Sequence, residues 1–323
     1  MKNEKLKIVF IGTAEFAVPA LAALFESGQD IAFVVTQPDR KRGRGGRESP
    51  TPVGLYAEEN GLPVLKPERL KENAEFFAML TKAAPDLIVV AAYGKILPKS
   101  LLELPPLGCV NIHASLLPEY RGAAPVQRAM LDGKEIVGVT LMHMAEGLDT
   151  GDMIASAQTE VAEMNAGEVT DKLARLGADL LLGLLPALAE RIAPRIPQDE
   201  AKATYAEKIG KNDERLDLFG AAEAAARRVR AMAPAPGAYV LRGGERIGVV
   251  KARALGPEDC GEPEWVCEAA SPGEVLAVSN RGIYVRMGEG VLLIEELKMP
   301  GRKATPVAEY LKGNVFDKTM PLE

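Results

Sequence analysis

Short uninterrupted apolar runs, each bounded by turn-forming residues, constrain this chain more than anything else in it. They fall at residues 7–13, 31–36, 86–92 and 109–113. A run of roughly four to eight apolar residues with no polar alternation suits a strand buried on both faces. Between these runs lie segments of helical period. In residues 15–27, Phe16, Leu21, Leu24 and Phe25 can form one stripe before Gly28 ends it, and residues 75–83 can be helical as well. Strands alternating with helices in this way predict an α/β domain built on a parallel sheet. Residues 122–131 read as a further helix, residues 138–144 and 153–161 as strands, and the leucine- and alanine-rich residues 169–193 as a long helix.

Pro194 and Pro197 punctuate the end of that helix, so the first domain is expected to occupy residues 1–195. Residues 196–212 have no sustained hydrophobic period and read as a linker lying over a surface. From residue 213 the pattern changes. One helical segment, 218–232, precedes alternating segments at 237–240, 246–252, 273–278, 282–286 and 291–297, separated by glycine-rich turns. That pattern predicts a small antiparallel barrel over residues 213–323.

Composition excludes several function classes. A length of 323 residues fits two domains, and 47% apolar with 26% charged residues is close to the average for soluble globular chains. An aromatic share of 5% gives little sign of a base-stacking surface. The apolar residues 8–11 are too few for a signal-peptide core or a membrane span, so a cytoplasmic protein without membrane contact is expected. Cys109, Cys260 and Cys267 are odd in number and unaccompanied by histidine, which argues against a disulfide framework and a zinc site and favours buried thiols. A net charge of -6 argues against broad affinity for nucleic acid but leaves room for a local basic patch.

The chain has only two histidines. If residues 109–113 form a strand, the Asn111 amide and the His113 imidazole project from one face at its end. Pro118 then restricts Leu117 to extended geometry, so residues 115–118 leave the sheet as a loop. About thirty residues later, Asp149 lies in Gly-Leu-Asp-Thr-Gly-Asp and can bring a carboxylate to the pair. Amide, imidazole and carboxylate together suit acyl transfer to an amine without a covalent enzyme intermediate. Asn111 can donate to a developing oxyanion, His113 can donate a second bond or handle the proton, and Asp149 can orient His113 and relay the proton. Neither Ser115 nor Cys109 stands in a nucleophile-elbow context. Taken singly, a histidine at a strand end is most often structural and Asp-Thr-Gly is most often a turn. His143, alternating with Val139 and Leu141, reads as structural, and Gly12-Thr13-Ala14 lacks the dinucleotide fingerprint.

Three stretches together resemble the folate-dependent formyltransferases: residues 111–118 (Asn-Ile-His-Ala-Ser-Leu-Leu-Pro), 120–125 (Tyr-Arg-Gly-Ala-Ala-Pro) and 147–152 (Gly-Leu-Asp-Thr-Gly-Asp). Within that family the likeness to members acting on charged initiator tRNA runs through residues 10–13, 36–40, 93–98, 204–208 and 300–303. The resemblance implies an α/β architecture with a Rossmann-like, mostly parallel sheet domain followed by a small OB-like β-barrel domain that binds tRNA. It implies formylation of the methionine α-amine on initiator methionyl-tRNA, with 10-formyltetrahydrofolate as donor, no metal, and a monomeric enzyme of translation initiation. Asn111, His113 and Asp149 match the family's catalytic residues. Ser115, Leu116, Leu117 and Pro118 match its folate loop, with Tyr93, Ile96, Leu97 and residues 146–150 flanking the pterin.

Arg44 matches an arginine that the family uses near the acceptor stem, and Arg40, Arg42, Lys208, Arg302 and Lys303 join it as expected tRNA contacts. Arg40, Lys41, Arg42, Arg44 and Arg47 crowd among Gly43, Gly45 and Gly46, which disfavour helix and suggest a mobile cationic loop able to order on phosphate. A basic loop is also commonly just a solvated one. Residues 213–323 hold fifteen Lys plus Arg against seventeen Asp plus Glu, so any tRNA-facing surface there must gather residues such as Arg227, Arg228, Arg230, Lys251, Arg253 and Lys298, with Lys211 of the linker. Two other readings stay open. Relatives with the same core motifs formylate small amines, such as amino sugar nucleotides, and a non-catalytic RNA-binding protein would need only the barrel and the basic loop.

Overall fold

A computed structural model describes residues 5–42, 47–256 and 270–323. Contacts divide the chain into two units. The first comprises Met1–Pro125, Ile136–Glu160 and Thr170–Glu207, and the second Val126–Glu135, Val161–Val169 and Lys208–Glu323.

In chain order the strands of the first unit are β1 (Lys7–Gly12), β2 (Asp30–Val35), β3 (Arg40–Arg42), β4 (Arg47–Ser49), β5 (Val64–Leu65), β6 (Leu87–Ala91), β7 (Cys109–His113), β8 (Arg121–Gly122), β9 (Ile136–His143), β10 (Met153–Glu160) and β11 (Tyr205–Ala206). Seven of them form one sheet in the order β10-β9-β7-β6-β1-β2-β5. The members from β5 to β7 are parallel, which makes the unit Rossmann-like. Ile8, Val9, Phe10 and Ile11 of β1 and every residue of β6 are buried, as continuous apolar runs require. The last two strands run antiparallel: β9 pairs with β7, and β10 with β9. At the sheet's edge, β10 alternates half-buried and exposed residues from Ala155 onward.

Helices cover the sheet. In Ala166–Ala189, a Cβ added to Gly177 would come within 2.6 Å of Ile112 Cγ2, so the backbone of this helix rests on the β7 face opposite Asn111 and His113. That contact leaves the other face of β7 to carry chemistry. The helix starts at Ala166 because Asn165 and Glu168 cap it reciprocally: Asn165 N–H donates to Glu168 Oε2 at 2.8 Å and Glu168 N–H to Asn165 Oδ1 at 3.1 Å. Helix Ala74–Ala83 is capped by Asn73, whose Oδ1 accepts from Phe76 N. No apolar stripe predicts a helix at Pro52–Glu59, yet Thr51 caps one there by accepting from Gly54 N, and Pro52 suits the first turn.

Two expected helices begin later than their patterns suggested. Residues 121–122 pair in parallel with β11, so the next helix is Pro125–Leu131. In the second unit, Asp217 Oδ1 accepts from Phe219 N and forms a turn that delays its helix to Ala222–Met232. That helix lies against three strands of an all-antiparallel sheet. The sheet's order is β12 (Ala238–Arg242), β13 (Glu245–Ala254), β16 (Val291–Lys298), β15 (Gly282–Arg286) and β14 (Val275–Ser279), with β17 (Thr305–Pro306) also paired to β16. Register shifts in β13 and β14 mark bulges of the kind that coil small antiparallel sheets.

Candidate active site

The site forms at the C-terminal ends of the parallel strands, where ligands enter open α/β sheets. Asn111 and His113 alternate on one face of β7, opposite Met142 and Thr140 of β9, and both are buried. His113 Nε2 lies 3.0 Å from the Tyr120 carbonyl oxygen. A carbonyl can only accept, so Nε2 carries the hydrogen, and Nδ1 turns toward Asp149 Oδ2 at 3.6 Å. The Asn111 carboxamide forms no hydrogen bond to another side chain or backbone group among the described residues. It is a donor held ready.

The Asp149 loop explains the spacing of its motif. Asp149 adopts φ +53, a left-handed conformation that a short acidic side chain tolerates. A Cβ added to Gly151 would lie 1.8 Å from His143 O, so only glycine lets the loop close onto β9. Asp149 Oδ2 accepts from Gly122 N at 2.9 Å, which aims the carboxylate at His113.

Loop 115–118 is pinned from beneath. The fully buried Thr140 hydroxyl donates to Ser115 O at 2.7 Å and accepts from Leu117 N at 3.2 Å. Ser115 Oγ donates to Glu119 O at 2.6 Å, so that hydroxyl is already engaged. Leu117 is buried, and Leu116 lies over Gly138, whose added Cβ would meet it at 2.3 Å. The Leu117-Pro118 peptide is cis. Tyr93 and Leu97 belong to the apolar cluster under the sheet, and burial pushes the Tyr93 phenol up to about 12. It is the Tyr93 carbonyl that meets polar neighbours, accepting from Gln37 Nε2 at 2.6 Å and Thr13 Oγ1 at 3.3 Å. Ile96 is exposed. The two rim segments meet through Lys99 and Glu146, at 2.9 Å.

A second set of residues, to which the motifs assign no role, surrounds these. Arg121 is wholly shielded from solvent. Its Nε and Nη2 donate to Gln198 Oε1, and its Nη1 and Nη2 donate to Glu200. The Arg121 guanidinium holds the Glu200 carboxyl below its ordinary range. Gln198 Nε2 in turn donates to the carbonyls of Asp149 and Gly151. Residues 198–206, read from sequence as linker, are thus tied into the first unit.

The basic residues sort differently. Arg40 donates to Gln37 Oε1, the backbone of β3 pairs with β4, and Arg44 with Gly43, Gly45 and Gly46 lies outside the described residues, as do Cys260 and Cys267. In the second unit Lys208 and Lys303 are exposed and Arg302 reaches Asn314 Oδ1 at 3.5 Å. Arg230 pairs with Glu163, and Lys251 and Arg253 both with Glu295. Cys109 is buried, donates to the Leu101 carbonyl, and has its thiol pushed up to about 12 by burial. Among the described residues no cluster of His, Cys, Asp and Glu is arranged to hold a metal, and no helix is long and apolar enough to cross a membrane.

This fold and site define a formyl-transferring enzyme, and the chain belongs to the formyl transferase family: residues 6–185 match its Formyl transferase profile and residues 208–315 its C-terminal domain. Two similar relatives are the methionyl-tRNA formyltransferases of Halorhodospira halophila and Moorella thermoacetica. They are 49% and 44% identical over 309 residues, covering 95% of this chain and 96% of each relative. Among solved structures, HypX from Aquifex aeolicus in complex with tetrahydrofolic acid shares the fold, with a TM-score of 0.64 and 18% identity over 95% of this chain and 47% of that one.

Proposed function

We propose that this enzyme transfers the formyl group of 10-formyltetrahydrofolate to the α-amine of methionine on initiator methionyl-tRNA. The observation that carries this reading is the meeting of Asn111, His113 and Asp149 at the end of β7, with His113 Nδ1 3.6 Å from Asp149 Oδ2. Similarity to methionyl-tRNA formyltransferases across both domains supports the acceptor.

Direct attack fits this site better than an acyl-enzyme. Ser115 Oγ is committed to Glu119 O, and the Cys109 thiol is buried and held in its protonated form. The neutral amine attacks the formyl carbon, and the carbonyl electron pair moves to oxygen. Asn111 donates to that oxyanion. With Nε2–H given to Tyr120 O, Nδ1 of His113 is the ring atom left to handle a proton on the side of Asp149. The proton lost by the amine is held between these two groups and passes to folate N10 as its bond to the formyl carbon breaks. This carbonyl chemistry needs no metal.

Residues 1–195 would carry this chemistry and residues 213–323 would hold tRNA, joined by residues 196–212. The folate would lie against Ser115, Leu116, Leu117 and Pro118 and the segment of Tyr93, Ile96 and Leu97. Arg40, Arg42, Arg44, Lys208, Arg302 and Lys303 would contact tRNA, in a monomeric cytoplasmic enzyme. The test is formylation of methionine-charged initiator tRNA, with charged elongator tRNA in parallel. Selective production of formyl-methionine on the initiator is expected. Folate binding without transfer to either tRNA would redirect the search to small amine acceptors.

A further inference from the structure

We infer that Gln198 is a positioning residue for the reaction, holding the backbone of Asp149 so that its carboxylate stays against His113. The inference rests on the catalytic reading above and extends it to a residue that no motif marks.

Each polar atom of the Gln198 carboxamide has a defined role. Nε2 donates to Asp149 O at 2.8 Å and to Gly151 O at 2.7 Å, and Oε1 accepts from Arg121 Nε at 3.0 Å and Nη2 at 2.8 Å. The amide orientation is therefore fixed by its partners. Reversed, it would place oxygen against two carbonyls and an NH2 against a guanidinium. Arg121 is itself immobilised by Glu200, at 2.7 and 3.0 Å, and by a further hydrogen bond to the Tyr205 side chain.

Asp149 needs such support. Its left-handed backbone is a conformation that persists where surrounding contacts impose it. The Gly122 amide grips its carboxylate and Gln198 grips its carbonyl, and both holds converge on the consecutive residues Arg121 and Gly122. The same segment reaches His113 as well. Thr204 Oγ1 accepts from Tyr120 N at 2.8 Å, and the Tyr120 carbonyl accepts from His113 Nε2. Residues 198–204 thus act as a bracket behind both partners of the proton-handling pair.

Gln198→Glu separates positioning from simple anchoring. The substitution is isosteric and preserves an acceptor for Arg121, now as an ion pair, but it puts an acceptor oxygen in place of the NH2 that served two carbonyls. Gln198→Met removes both functions at similar volume. Both variants are assayed in the full chain for kcat, KM for each substrate, folate binding and thermal midpoint. Displacement of a reacting group by about 1 Å costs on the order of 100-fold in rate. Gln198→Glu should therefore lose about 100-fold in kcat, with folate affinity and the thermal midpoint near wild type, and Gln198→Met should lose at least as much. Gln198→Glu within twofold of the wild-type kcat overturns the inference. A loss that only follows the fraction of unfolded protein also overturns it, making Gln198 a strut for the segment. An inactive wild-type enzyme would instead count against the catalytic reading itself.

Discussion

Thr140→Val tests the least visible support of the site. The side chain is fully buried and its hydroxyl makes two hydrogen bonds, to Ser115 O at 2.7 Å and from Leu117 N at 3.2 Å. Valine fills nearly the same volume, so the loss is polar: two backbone groups of loop 115–118 are stranded. An unsatisfied buried group costs about 1–3 kcal/mol. Because one hydroxyl serves both, roughly 2–4 kcal/mol is the reasonable sum. At roughly 2–4 °C per kcal/mol for a unit of this size, the thermal midpoint should fall by about 5–15 °C. Loop 115–118 should also loosen, weakening folate binding as read by titration calorimetry. Thr140→Ser keeps the hydroxyl and should lose about 1 kcal/mol or less. A Thr140→Val midpoint within about 1 °C of wild type, with folate affinity intact, would refute the account of how this loop is held.

Asn111→Ala should lower kcat by about 100- to 1000-fold while leaving folate affinity nearly unchanged, because the donor acts on charge that appears during reaction; single-turnover kinetics will read it. Asp149→Asn keeps an acceptor for Gly122 N and should fold normally, yet lose at least about 100-fold in kcat; near-normal turnover would remove the carboxylate from proton handling. Burial foremost, with Arg195 adding to it, holds the His143 imidazole below its ordinary value of 6.5, against the opposing pull of the Pro194 backbone and Asp152. Its contribution to stability is therefore complete above pH 6.5 and lost as pH falls through the folded value, where the unfolded chain binds the extra proton. Thermal midpoints across that range should show the loss, and His143→Gln should flatten it. Arg44→Ala should raise KM for initiator tRNA more than for folate, and equal effects on both would detach Arg44 from the acceptor.

How well the sequence foretold the fold depended on how far each signal reaches. The strands β1, β2, β6 and β7 were legible because burial on both faces leaves an unbroken apolar run. Strand direction was harder to read: β9 is as thoroughly buried as its parallel neighbours, and its antiparallel course follows from the route of the chain after β7. Helix starts went astray where one side chain decides the local geometry. Asp217 folds a turn in place of the expected helical start, and Thr51-Pro52 opens a helix with too weak an apolar stripe to be noticed.

The candidate site divides along the same physical line. Asn111, His113 and Asp149 could be singled out because their chemistry is unusual in their settings: polar groups at the end of an apolar strand, and an aspartate between glycines that must turn tightly. Thr140 and Gln198 work through backbone carbonyls and amides distant in sequence, and Arg121 works through the distant side chains of Gln198 and Glu200; none of these partners carries a residue-type signature of its own. One signal was available. A threonine inside the apolar residues 136–143 is a buried hydroxyl that requires a partner, and its position opposite His113 in the β7–β9 register places that partner in the loop that leaves β7. Gln198 offers no comparable sign, since a glutamine in a polar stretch is what a solvated linker would also contain. Its role depends on the shielded Arg121, which fixes the direction of the amide. Residues that react can therefore be sought from chemistry and spacing, whereas residues that hold them in place emerge once each buried donor has been assigned its acceptor.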